Sequence, residues 1–217
     1  MFKLVKPEEL INAELTSKEE IKQHLREIFG EEYKQFTEIL NSIIPLTGCN
    51  ASAIGRCSAD SISIFEGAVR GTEFHEAFHR IFELVIDDTL RNTIYKQIAK
   101  RLGVDLNNDP EYKNAREVAE WVADKFMDYS NDYYTDKDRN IFGIKLPKLI
   151  SKAFNRISNF INAMRLVGNF RLANLYVKAR NGYWSKHSHI DKITKDKIDR
   201  FNKLYKNLYY EVNGTKL

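Results

Sequence analysis

Within residues 71–83, GTEFHEAFHRIFE, two of the chain's five histidines lie four residues apart, and an acid directly follows the first. On a helix, positions i and i+4 share a face about one turn apart. The imidazoles of His75 and His79 can therefore meet one metal ion, and Zn2+ suits nitrogen donors in a tetrahedral set. Glu76 falls on the adjoining flank, where its carboxylate can reach a water in the metal's open position without being a ligand. The pattern His-Glu-x-x-His arises by chance in about one chain in a hundred of this length, so its surroundings have to decide. Phe74, Phe78, Ile81, Phe82 and Val85 form an apolar stripe beside the histidines. The pair then sits at the edge of a core, where a metal cleft belongs.

A catalytic zinc needs three protein ligands and one open position. No third histidine follows His79 at a short fixed distance, but the downstream run AREVAEWVADKF offers Glu117, Glu120 and Asp124. Glu120 and Asp124 are again i and i+4, so both can face the histidine helix together. One can bind the metal while the other accepts the free N–H of a ligating imidazole, which fixes the tautomer and raises ligand basicity. Glu117 has Trp121 at i+4 instead of an acid and is the weaker ligand candidate.

These residues need elements to hold them. TSKEEIKQHLREIFG (16–30) predicts a capped helix, with Thr16 and Ser17 ahead of Glu19 and Glu20 and with Gly30 to end it. The periodicity of EEYKQFTEILNSII (31–44) continues as helix, and PLTGCNASAIGR (45–56) reads as a loop. In CSADSISIF (57–65) Ile62 and Ile64 alternate with Ser61 and Ser63, the pattern of a half-buried strand. Thr72 is the expected N-cap of a helix from Glu73 to Leu102, interrupted near Asp87 and Asp88. Further helices are expected at 114–130, at 147–168 behind Pro147, and around 170–180 and 191–210. The fold class is α+β, mainly α, with one short sheet flanking the histidine helix. Three segments are expected: an N-terminal helical segment (1–50), the core (51–146) and a basic helical C-terminal extension (147–217).

The composition, 43% hydrophobic and 29% charged, fits a soluble globular chain. No apolar run is long enough to span a bilayer, and the start lacks the apolar region of a signal peptide. Cys49 and Cys57 make neither a disulfide framework nor a CxxC zinc pair and read as free thiols, so a cytoplasmic, reducing location is expected. Charge is uneven. Residues 1–150 hold 20 Lys/Arg against 26 Asp/Glu, a net −6, whereas residues 151–217 hold 14 against 4, a net +10. Such a tail can bind nucleic acid or an acidic partner, but no nucleic-acid motif accompanies it, and a solvated helical face accounts for it more simply.

The pairing of His75-Glu76-x-x-His79 with Glu120-x-x-x-Asp124 resembles the gluzincin branch of zinc metallopeptidases. That resemblance implies a zincin-like fold and Zn2+ bound by His75, His79 and Glu120. It further implies Glu76 as general base and Asp124 supporting a histidine, His75 by analogy. The interval of 40 residues between His79 and Glu120 is longer than in compact thermolysin-like members. GTEFHEAFHRIFE, AEWVADKF, LYVKARNGYW and IDRFNKLYKNLYYEVNG together resemble the metallopeptidase domain of phage polyvalent proteins, found in tailed phages, including crAss-like phages, and in mobile elements. The likeness covers roughly residues 55–215 and implies one domain of a larger protein.

The implied activity is hydrolysis of a protein or peptide substrate. In zincins a strand flanking the cleft pairs with an extended substrate, and Ser61, Ile62 and Ser63 are the candidates here, against simple pairing inside a sheet. Tyr183, His187 and His189 in NGYWSKHSH could donate to an oxyanion but read as a surface loop. The alternatives are a non-enzymatic helical module binding nucleic acid or a protein through its basic part, and a zinc that is structural or serves amidase-type chemistry.

Overall fold

A computed structural model of the protein describes residues 2–5, 7–11, 13–40, 44–45, 52–57, 61–140, 170–183 and 195–213. After strand β1 (Phe2–Val5) and the short helix α1 (Pro7–Ile11) comes α2 (Lys18–Phe29). Its start is a reciprocal cap: the Glu20 amide donates to Ser17 Oγ at 3.3 Å, and the Ser17 amide donates to Glu20 Oε2 at 2.9 Å. Ile21, Leu25, Ile28 and Phe29 bury one face of α2, and Gly30, at φ 71°, ends it.

The helix expected over 31–44 does not form. Gly30–Gln35 is a 3-10 turn, followed by β2 (Thr37–Leu40) and β3 (Ile44–Pro45). Apolar spacing there suits helix or strand, and tertiary pairing decides. The Ile62 amide donates to Phe36 O and the Glu66 amide to Leu40 O, each at 2.7 Å, at either end of a parallel ladder with β5 (Ile62–Phe65). The expected loop 45–56 likewise contains a strand, β4 (Ser52–Cys57). The sheet order is β1-β4-β5-β2, with β3 also pairing β4 and only the β2/β5 pair parallel. Small residues made β4 look like a loop in the sequence; one of them, Gly55, lies directly against the next helix.

That helix, α3 (Thr72–Arg80), is buried at all nine positions. Gly71, not Thr72, is its N-cap, at φ 92°, and a Cβ there would meet Asn131 and Met127 atoms 2.6–2.7 Å away. Thr72 is the first helical residue instead, its hydroxyl donating to Val69 O at 2.7 Å. The helix widens into a π turn, Ile81–Val85, and breaks at extended Ile86. Asp87 then caps α4 (Asp88–Leu102) through the Leu90 amide at 2.9 Å, so the interruption expected near Asp87 and Asp88 is present.

α5 (Lys113–Asn140) packs along α3, and α6 (Phe170–Arg180) and α7 (Lys195–Asn213) follow. Phe78 of α3 meets Phe126 of α5 at 4.7 Å and Tyr176 of α6 at 5.1 Å between ring centroids. Tyr176 also donates its hydroxyl to Val122 O at 2.5 Å. Residues from α2 through Leu204 of α7 join one hydrophobic cluster, so the three segments share a core among the described residues. The expected helix 147–168 lies outside the described residues. The fold is mainly helical α+β, and among the described residues no helix is long and apolar enough to cross a membrane.

Candidate metal centre

α3 presents His75 and His79 to α5, which presents Glu120 and Asp124 one turn apart. Both histidines are fully buried, and their Nε2 atoms lie 2.9 Å from each other. Glu120 bridges them, with Oε2 at 3.3 Å from His75 Nε2 and Oε1 at 3.3 Å from His79 Nε2. One donor atom from each of the three residues falls within 4.8 Å of the others. Tetrahedral zinc with bonds of about 2.0–2.1 Å holds neighbouring donors roughly 3.3 Å apart, so the cluster has the right size for one ion.

Asp124 Oδ1 lies 2.9 Å from His75 Nδ1. A carboxylate at that distance favours a proton on Nδ1 and leaves Nε2 for the cluster, the arrangement of a metal-ligating histidine with an outer carboxylate. Glu117 is exposed and takes no part. The side chains of Glu120 and Asp124 remain 32% and 41% exposed, while Glu120 Oε1 is itself buried with both histidines.

Charge in the cluster follows its geometry. Burial pushes the His75 imidazole down, but hydrogen bonds to Asp124 and Glu120 outweigh it and carry it up to about 9. His79, with burial its largest influence, is held below the ordinary imidazole value. Burial alone would raise Glu120; the adjacent His79 and His75 overturn that and hold its carboxyl well below the usual range. Without a metal the pair of rings therefore carries a proton on His75, and any cation that binds must displace it.

Glu76 is fully buried between the cluster and the sheet. β4 passes so close that a Cβ on Gly55 would lie 2.6 Å from Thr72 Cγ2 and 2.9 Å from Glu76 Oε1. Gly55 was invisible as a site residue in the sequence, because only packing against α3 gives it a role. The substrate-strand assignment to Ser61, Ile62 and Ser63 needs correcting. β5 is hydrogen-bonded to β4 on one flank and to β2 on the other, so it offers no open edge, and Ile62 and Ser63 are buried. Ile62 and Ser63 pair inside the sheet, and Ser61 stands immediately before β5. Tyr183 lies beyond α6 with the Lys178 ammonium 4.8 Å from its ring centroid, and His187 and His189 fall outside the described residues.

Two buried polar groups beside the centre also went unforeseen. His24 of α2 pairs through Nδ1 with Glu73 and stacks on Phe74 at 4.7 Å. Glu83, in the π turn, takes a hydrogen bond from the Tyr95 hydroxyl and another from Arg200. Neither has a local sequence signal, since the partners are brought together only by helix packing. Compared with protein-family models, curated proteins and solved structures, the chain matches none.

Proposed function

We propose that this chain is a zinc-dependent metallopeptidase with a zincin-like core, hydrolysing peptide bonds as one domain of a larger phage or mobile-element protein. The observation that carries the reading is the convergence of His75 Nε2, His79 Nε2 and the Glu120 carboxylate within 4.8 Å, with Asp124 on the outer nitrogen of His75. A donor set of three residues among the described ones supports a catalytic rather than a structural ion, because a structural zinc takes four protein ligands. His75, His79 and Glu120 would hold the ion, which when bound supplies a Lewis acid and acidifies water.

The chain's own residues do the rest. Glu76 accepts the proton of the attacking water on a carboxylate oxygen and returns it to the leaving amine. Its burial beneath Gly55 limits the positions that carboxylate can take. Asp124 keeps the His75 proton on Nδ1 and its ring aligned through the cycle.

The test is digestion of a diverse peptide library by the zinc-loaded chain, with products read by mass spectrometry. Glu76→Gln should keep the zinc and lose cleavage by at least about 100-fold. Equal cleavage by both proteins would show the activity to belong elsewhere.

A further inference from the structure

The helix bearing both histidines ends in an irregular turn, and that turn is held from far along the chain. A helix terminus leaves carbonyls without intrahelical donors, and a π turn tends to mark functional positions. Here Glu83 O accepts from Arg200 Nη2 at 2.9 Å and from Arg91 Nη1 at 3.3 Å. Ile86 O accepts from Lys197 Nζ at 2.9 Å and from Arg91 Nη1 at 3.2 Å. Cations at this end also complement the negative pole of α3.

The Glu83 side chain makes the same demand. It is fully buried four residues after His79, and a buried carboxylate needs partners. Tyr95 donates to Oε1, Arg200 Nη2 reaches Oε2 at 3.0 Å, and Arg91 Nε lies 3.9 Å from Oε2. Arg91 comes from α4, directly after the turn. Arg200 comes from α7, 117 residues beyond Glu83, and reaches the carbonyl and the carboxylate of that residue at 2.9 and 3.0 Å, closer than Arg91 at 3.3 and 3.9 Å. The basic C-terminal charge thus has a use inside the fold.

We infer that Arg200 is a positioning residue for the metal centre: by gripping the backbone and side chain of Glu83 it fixes the end of α3, and so holds His79 opposite Glu120. This rests on the metal reading above. Since α3 is a single rigid rod from Thr72 to Arg80, a turn that slips past His79 moves the ring and leaves Glu120 facing one histidine.

The test compares Arg200→Gln and Arg200→Lys with Lys203→Gln, an exposed charge loss on the same helix. Each full chain is titrated with Co2+, reading the dissociation constant and the visible d–d bands. Amide hydrogen exchange over residues 79–86 is followed on the metal-free proteins. Arg200→Gln should weaken cobalt binding about 10-fold or more, alter the band shape, and speed exchange across the π turn. Arg200→Lys, a point charge without the fork, should fall between, and Lys203→Gln should match wild type. Should Arg200→Gln fail to fold, the lysine variant carries the comparison. Unchanged cobalt affinity and spectrum would overturn the inference, even with a lower melting temperature. A wild-type chain that takes up no cobalt would instead defeat the metal reading itself, and the positioning role with it.

Discussion

Gly55→Ala adds one methyl group at the point where β4 crosses the histidine helix. That methyl carbon would sit 2.6 Å from Thr72 Cγ2, 2.9 Å from Glu76 Oε1 and 3.0 Å from Glu76 Cγ. Carbon atoms prefer separations of about 3.5–4.0 Å, so roughly 1 Å must be found. The end of the Glu76 side chain can swing away, but Thr72 is fixed in the first turn of α3. Either β4 lifts from the helix or the carboxylate leaves its place beside the His75–His79–Glu120 cluster. Overpacking of this kind costs about 1–3 kcal/mol, a fall of several degrees in melting temperature for a chain of this size. A catalytic group displaced by about 1 Å can cost about 100-fold in rate. Zinc content should not change, since no ligand is touched. The assay is kcat and KM on a cleaved library peptide, beside zinc content and a thermal melt. A Gly55→Ala chain with wild-type kcat and an unshifted melt would refute the close seating of β4 over the base.

Four further outcomes follow. Asp124→Asn keeps the shape but removes the charge at His75 Nδ1, and should weaken zinc binding about 10- to 100-fold in a competition titration; unchanged affinity would leave Asp124 a bystander. Apparent metal affinity should strengthen with pH up to about 9, because the folded imidazole of His75 is raised above its ordinary 6.5 and its proton must leave. By the same sign, in the metal-free chain the stability contributed by that proton is full below the unfolded value and is lost as pH rises through about 9, which urea melts across this window would reveal. Phe126→Ala, at the meeting of the Phe74, Phe78 and Tyr176 rings, should cost about 3–5 kcal/mol in a urea titration, and a loss under 1 kcal/mol would place those rings outside the core.

The helical periodicities carried most of the architecture because amphipathic helices write their buried face locally. Ile21, Leu25 and Ile28 announced α2, and the Ser17–Glu20 cap fixed its start. His75, His79, Glu120 and Asp124 were legible for the same reason: each pair shares a helix face. What the two pairs could not say was that the helices lie side by side. The sheet was harder to see. Thr37–Leu40 has apolar spacing that suits either state and becomes a strand only because β5 is there to pair with it. At Gly55 of Ser52–Cys57 the neighbours are Thr72 and Glu76, and even a methyl group would not fit there. Ile62 and Ser63 did belong to a strand, with Ser61 just before it, but whether a strand is central or at an edge depends on partners remote in sequence. Glu83 and Arg200 stayed hidden because nothing local ties residues so far apart.

The most direct measurement is metal content by inductively coupled plasma mass spectrometry, on wild type, His79→Ala and Glu76→Gln purified without added metal. One zinc per chain in wild type and Glu76→Gln, with loss in His79→Ala, is the predicted result, because Glu76 sits beside the three converging donors without being one of them. A wild-type chain without zinc even after reconstitution, or a His79→Ala chain that keeps it, would contradict a metal centre built on His75, His79 and Glu120.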